Sequence, residues 1–280
     1  MPLKSVLPIR RDLKFKLPAN RLKSWHPDGV QASHFFNALS IFFPSGERFF
    51  IDSVRYYRDR GAIKSEDLLK AVTAFIGQEA MHGREHEALN EALTASGLPA
   101  DRMERIVINL LEFGKKTLPP ASRLAITIAL EHFTAILADV VLRNPELNEG
   151  AEPRYTALIQ WHALEETEHK AVAFDVYQAA IGKGPAAYTL RVTTLVIATI
   201  ILYSLLLPFH FELVRREGAA LDLRGWGRLF RTLWLKPGIM RKMVPLYFDY
   251  FRPGFHPWQH DNREFLAALD AIASEYCAAA

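Results

Sequence analysis

Three observations predict an all-α protein: a four-helix bundle with additional C-terminal helices. No stretch of the 280 residues shows the apolar–polar alternation of a half-buried strand. Helical apolar periods dominate, and Gly and Pro clusters separate them. Half of the residues are hydrophobic and 23% are charged, the composition of a packed chain rather than a disordered one.

The elements follow in order. Residues 1–29 form a basic, Pro-spaced arm; within its first 25 residues Lys4, Arg10, Arg11, Lys14, Lys16, Arg21 and Lys23 face the single acid Asp12. An apolar helix comes next, near 30–43. The run "FPSGERFF", 43–50, is expected to break it, and a second helix continues to about Arg58. Ser65 is a natural N-cap, and Glu66 and Asp67 suit the first turn of a long helix to about Thr94. Gly97 and Pro99 end that helix. A shorter helix covers roughly 101–116, and Pro119 and Pro120 open the next, to about Arg143. "NPELNEGAEP" reads as a loop. A long helix from about Arg154 to Ile181 stops at Gly182. Residues 30–182 therefore hold four long helices, enough for a bundle with its own core.

Residues 183–280 differ in character. "VTTLVIATIILYSLLLPF", 192–209, carries no charge. It matches the short end of a transmembrane span and equally a buried helix. Residues 218–260 are rich in aromatic residues, Gly and Pro, with no clear period. A final amphipathic helix is expected from about Asn262 to Tyr276. This third of the chain is expected to pack on the bundle.

A formal net charge of +3 gives no argument for a nucleic-acid partner. The distribution is more informative. Residues 215–242 form a second basic stretch, and the two basic flanks read either as solvated ends or as contacts to an anionic leaflet. The single cysteine, Cys277, allows no disulfide within the chain and fits a reducing compartment. No apolar run follows the N-terminal basic residues, so the expected location is cytoplasmic, with peripheral contact to the inner membrane as an option.

The stretch "FIGQEAMHGREH", 75–86, carries the chemistry. Residues three and four apart share a helix face. Glu79, His82 and His86 fall within an arc of roughly 60°, whereas Glu85, Glu87 and Glu91 point elsewhere and read as solvent-side charge. In "WHALEETEHK", 161–170, His162, Glu166 and His169 share a similar arc. Glu79–His82 and Glu166–His169 thus repeat Glu-x-x-His on two long helices. Two further helices each offer a glutamate in an apolar setting: Glu47 in "GERFF" and Glu131 in "AITIALEHFTAIL". The order is Glu, Glu-x-x-His, Glu, Glu-x-x-His. That is the arrangement by which helical bundles hold two metal ions, since close cations need several anionic oxygens to offset their repulsion. With 19 glutamates and 10 histidines, chance supplies roughly 0.7 Glu-x-x-His matches, so the order decides and not the motif alone.

The expected metal ligands are Glu47, Glu79, His82, Glu131, His162, Glu166 and His169. The break at Pro44–Gly46 leaves the helical phase of Glu47 undetermined. His162 and His86 are each either a further imidazole ligand or an outer partner that orients one. Glu165, four residues before His169, rivals Glu166 but lacks the repeat with Glu79, and stands with His86 as an outer-partner candidate. His26, His34, His210, His256 and His260 read as structural or surface histidines.

These residues resemble the ferritin-like di-iron carboxylate superfamily. "FFPSGERFF", "QEAMHGREH", "LEETEHKA" and "YFRPGFHPW" resemble the bacterial family of predicted metal-dependent hydrolases. A more distant resemblance is to the arylamine N-oxygenases, whose last bundle helix carries an additional His one turn before its Glu-x-x-His. Carried over, that pattern implies that His162 is a ligand. The apolar and aromatic C-terminal third departs from that family, so its substrate does not transfer.

The leading expectation is a di-iron, O2-activating oxidase or oxygenase acting on a hydrophobic small molecule, with two Fe (alternatively Mn or Zn) and an external electron donor. The alternative is a metal-dependent hydrolase using a metal-bound water. A third reading is a metal- or lipid-binding protein without turnover. Segment 192–209 either caps the bundle, forms a homodimer interface or dips into a bilayer. Full spanning is disfavoured, because Pro208 interrupts the end of the run and the flanking charges balance.

Overall fold

The computed structural model describes residues 6–276, so Lys4 and Cys277 lie outside it. The chain is all-α, with no β-strand among the described residues. Its helices are α1 (Val30–Ser40), α2 (Phe43–Asp59), α3 (Glu66–Ala95), α4 (Ala100–Thr117), α5 (Pro120–Leu142), α6 (Pro153–His169), α7 (Val172–Ala180), α8 (Pro185–Arg216), α9 (Leu223–Phe230), α10 (Ile239–Asp249) and α11 (Leu269–Tyr276).

Local signals set the ends. The Ser65 hydroxyl accepts from the Leu68 N–H at 3.3 Å and starts α3. Gly97, with φ of +90°, ends it in a conformation that side chains disfavour. The Glu152 carboxylate caps α6 through the N–H groups of Arg154 and Tyr155. Helix α2 packs along α3 and α5 along α6, and the pairs close through α2–α5 and α3–α6 contacts. Phe49, Val54, Val72, Phe75, Leu124 and Ile128 fill the space between them.

Four expected boundaries move. The run 43–50 is helix and not a break. Only Ile41 and Phe42 interrupt the chain, and Pro44 sits in the first turn of α2, where its missing N–H costs nothing. The helix expected to reach Ile181 stops at His169. The turn at Lys170 and Ala171 lets the buried Lys170 ammonium reach the His260 carbonyl (2.5 Å) and Asn262 Oδ1 (2.6 Å). Helix α8 runs on through Pro208 to Arg216. Its last turns are held against α1, where His210 Nε2 lies 2.9 Å from the Gln31 carbonyl. The final amphipathic segment is a 3-10 turn (Arg263–Ala268) followed by α11.

The N-terminal arm is seated on the bundle. Leu13, Phe15, Leu22 and Trp25 are buried, and Trp25 stacks on Tyr155 at 5.3 Å between ring centres. Among the described residues, two helices are long and apolar enough to cross a membrane. In α5 the most apolar stretch is 72% buried, as befits a bundle core. In α8 it is 28% buried, so most of that apolar surface faces outward.

Candidate metal centre

The four helices α2, α3, α5 and α6 bring Glu47, Glu79, His82, Glu131, Glu166 and His169 together, all of them buried. Each helix contributes from the face its period predicts. Starting α2 at Phe43 fixes the phase of Glu47 and turns its carboxylate inward. Gly83, one turn along α3 from Glu79, makes room for it: a Cβ there would lie 3.0 Å from Glu47 Oε2. A glycine inside a helix costs about 1 kcal/mol relative to Ala, and this close approach accounts for its use.

Several of these groups are buried without partners. Both carboxylate oxygens of Glu47, Glu79 and Glu131, Nδ1 of His82 and Nε2 of His169 lack any hydrogen bond among the described residues. His169 Nε2 lies 3.0 Å from Glu79 Oε1, 3.5 Å from Glu166 Oε2 and 3.9 Å from Glu131 Oε2, but without hydrogen-bond alignment. Atoms that converge on one point without bonding to each other have the geometry of ligands around an ion. An unpaired carboxylate in a protein interior costs several kcal/mol, so carboxyls buried in this way either hold a proton or meet a cation.

Ligand-capable atoms lie within 4.8 Å of one another in four triplets: Glu79–Glu166–His169, His82–His162–Glu166, Glu47–Glu79–His82 and Glu47–His86–His162. Glu166 belongs to two of these groups, with Glu79 and His169 in one and with His82 and His162 in the other. His162 and His86 enter the cluster with the other imidazoles. His162 Nε2 lies 3.0 Å from Glu166 Oε1, and its Nδ1 lies 2.8 Å from His86 Nε2. The His162 ring stacks on His82 at 4.1 Å. His86 Nδ1 in turn meets the Ser40 hydroxyl at 3.0 Å.

A layer of polar partners aims the ligands, and most of it was missed in the sequence. Glu165 Oε2 lies 3.1 Å from His82 Nε2, which leaves Nδ1 facing the cluster. Gln78 Oε1 lies 2.9 Å from His169 Nδ1 and frees Nε2 in the same way. The Gln78 amide donates to Glu168 Oε2 at 2.7 Å. Arg11, from the arm, donates to Glu165 at 3.2 Å and to both oxygens of Glu168 at 2.9 and 3.0 Å. One guanidinium therefore anchors the supports of both His82 and His169, so Arg11 is held inside the fold. The Thr134 hydroxyl donates to Glu166 Oε2 at 2.7 Å. Glu85, expected in solvent, is buried and accepts from the Phe15 N–H at 3.1 Å and from Arg84. Its place under the seated arm was not legible in helical phase. Glu87 and Glu91 are exposed, as expected.

Burial sets the protonation of the cluster without metal. It drives the carboxyls of Glu47 and Glu131 well above the usual range, and neighbouring carboxylates add to the effect. Burial likewise raises Glu79 and pushes the His82 and His86 imidazoles well below theirs. For His169 burial works against the charge, but Glu166 and Glu79 overcome it and hold the imidazolium well above its usual range. Burial alone would raise Glu166, but His169 and His162 hold it well below.

The cluster opens onto apolar space. A cavity of about 540 Å³ is bounded by α2, α4, α5, α8 and α10; Glu47 and Thr134 stand on its otherwise largely hydrophobic wall. A smaller pocket of about 80 Å³ touches His86, His162, Glu166 and Thr134.

Fold and site together define a helical protein with a buried histidine–carboxylate cluster suited to metal. The chain belongs to the family described as predicted metal-dependent hydrolase, whose model matches residues 9–261. No curated protein matches the chain, and no solved structure does. That description supports hydrolysis, the alternative among the chemistries expected from the sequence, and gives no support to the leading expectation of oxidation.

Two predictions follow from this geometry. Glu131→Gln should lower metal content while leaving the metal-free protein at least as stable as wild type. A carboxyl raised by burial stabilises the fold only below its unfolded value, and that contribution is lost as pH rises through the folded value. The advantage of the Gln variant in melting temperature should therefore grow from mildly acidic to alkaline pH, measured after chelation. Arg11→Met should lower metal affinity by roughly ten- to a hundredfold, because it releases the supports of two imidazoles at once. Metal titration followed calorimetrically checks this, and wild-type affinity would contradict it.

Proposed function

We propose that the protein is a two-metal hydrolase acting on an apolar, acyl-type substrate held in the large cavity. The observation that carries this reading is the set of buried carboxylate oxygens and imidazole nitrogens without partners beside an otherwise apolar cavity. The donor set supports two ions. Glu47, Glu79, Glu131 and Glu166 carry four negative charges when ionised, which two divalent cations balance. Mixed imidazole and carboxylate donors suit iron, manganese or zinc.

Bound there, the cations would supply Lewis acidity and make a coordinated water acidic enough to attack at neutral pH. The remaining work falls to the chain. Gln78 and Glu165 fix the tautomers of His169 and His82 so that the free nitrogens face inward. Thr134 holds Glu166 in the position where it serves both ends of the cluster. Glu47 borders both cavity and cluster, and as the carboxylate nearest the substrate space it would be the candidate to accept a proton there. The Phe and Leu walls bind the hydrocarbon part of the substrate and keep bulk water away.

A second reading is O2-dependent oxidation of the same apolar substrate class by two iron ions, with an external electron donor. The histidine–carboxylate donor mix and the apolar walls favour it.

The test uses protein loaded separately with zinc, manganese or, anaerobically, ferrous iron. Each form is assayed on p-nitrophenyl esters from butyrate to laurate. The hydrolase reading predicts turnover that needs metal and ignores O2. It also predicts that kcat/KM rises with chain length, by at most about fourfold per methylene while the chain fills the cavity. Absence of ester turnover, together with rapid O2 uptake by the reduced iron form, would replace it with the second reading.

A further inference from the structure

We propose that the exposed apolar face of α8, together with the end of α4 and the segment 221–248, docks in the plane of an anionic lipid leaflet, and that the cavity takes its ligand from that leaflet. The second half of the proposal rests on the apolar-substrate reading; the first does not.

Helix α8 is apolar on both sides. Leu195, Leu206, Phe209 and Leu213 are buried toward the protein. Ile197, Ile200, Ile201, Leu207 and Phe211 point outward, and Ile197 and Ile200 are 56% and 64% exposed. At about 100° per residue these five fall within an arc of roughly 120°. No charged residue occurs from 192 to 211. Soluble monomers rarely expose a continuous apolar strip of this kind.

The strip does not stand alone. Among the described residues, every exposed large apolar side chain except Leu7 and Ile9 lies on residues 106–118 or 196–248. Segment 221–248 runs beside α8. Trp226 stacks near Phe211 at 6.4 Å, and the Tyr247 hydroxyl meets Thr199 Oγ1 at 2.9 Å. It carries Phe230, Trp234, Leu235 and Phe248 to the surface.

Two observations choose lipid as the occupant. The first is the cavity mouth. Leu110, Phe113 and Leu118 of the α4 side and Ile197 and Ile201 of α8 both line the cavity and are exposed. The opening therefore lies within the apolar face, where an acyl chain could pass between leaflet and cavity without crossing water. A second protein copy seated there would close it. The second is charge. Arg224, Lys236 and Arg241 are exposed along the segment that carries the aromatic side chains, and Asp222 is the only acid between 221 and 248. Cations beside outward aromatic and aliphatic side chains match an anionic headgroup layer over hydrocarbon. With its other face packed on the bundle, α8 lies against the membrane rather than through it.

The experiment is flotation of the intact, metal-loaded protein with vesicles of phosphatidylcholine alone and with about one-third phosphatidylglycerol added, at low and high salt. Wild type should float with the anionic vesicles, less so at high salt. Phe113→Asp combined with Ile200→Asp, both at exposed positions, should abolish flotation. Lys236→Gln with Arg241→Gln should weaken it roughly fivefold per residue. Metal content is read in the same samples. None of these residues belongs to the cluster, so content stays at the wild-type level, and failure here is distinguished from failure of the hydrolase reading. Absence of wild-type flotation overturns the proposal, as does unchanged flotation of the aspartate variant. A solution dimer that the aspartate substitutions split, with no flotation, assigns the face to a second copy and also overturns it.

Discussion

The structure depends on one electrostatic constraint: four glutamates from four helices are held together in the interior, each almost wholly buried. Ionised and unpaired, they would repel one another and forfeit their hydration, and together those costs rival the whole stability of a domain. Without metal, raised carboxyl protonation and the His169 imidazolium relieve part of this strain. Cations would relieve the rest. Every nearby feature makes sense as support for that exchange, from the missing side chain at Gly83 to the hydroxyl of Thr134.

The layer outside the cluster ties it to the remainder of the chain. Arg11 comes from a segment far from the bundle helices in sequence, yet it fixes Glu165 and Glu168 and through them both His82 and His169. Burial of Leu13, Phe15 and Trp25 holds that arm in place. On the opposite side, α8 covers α1 and α5 and helps to wall the cavity. The C-terminal third thus has two duties: its inner surface shapes the apolar space beside the carboxylates, and its outer surface offers hydrocarbon where solvent would be expected.

Much of this was legible in the sequence because helical period is a local property. The 3.6-residue repeat places Glu79 with His82 and Glu166 with His169 whatever else the protein does, and four long apolar-faced helices leave few ways to share a core. What was not legible is what long-range contacts decide. Glu85 has the phase of a solvent residue and is buried only because the arm lies over it. The helix expected to run through Lys170 turns there because partners some ninety residues away pull on the ammonium. Pro208 looked like a stop, but packing on α1 carries the helix past it. Glu165 and Glu166 are neighbours that the Glu-x-x-His repeat separates, and the fold adds the particular partner, since Glu165 backs His82 while Glu166 faces the cluster.

The central proposal is that the cluster would hold two metal ions, with Glu166 among the residues that would bind them. Anomalous X-ray diffraction from crystals of metal-loaded protein, collected at the absorption edge of the bound metal, tests it directly. The account predicts two peaks about 3.5–4 Å apart, both within coordination distance of the Glu166 carboxylate. One lies toward His169 and Glu79 and the other toward His82 and His162. A single peak, or peaks away from these side chains, would contradict it.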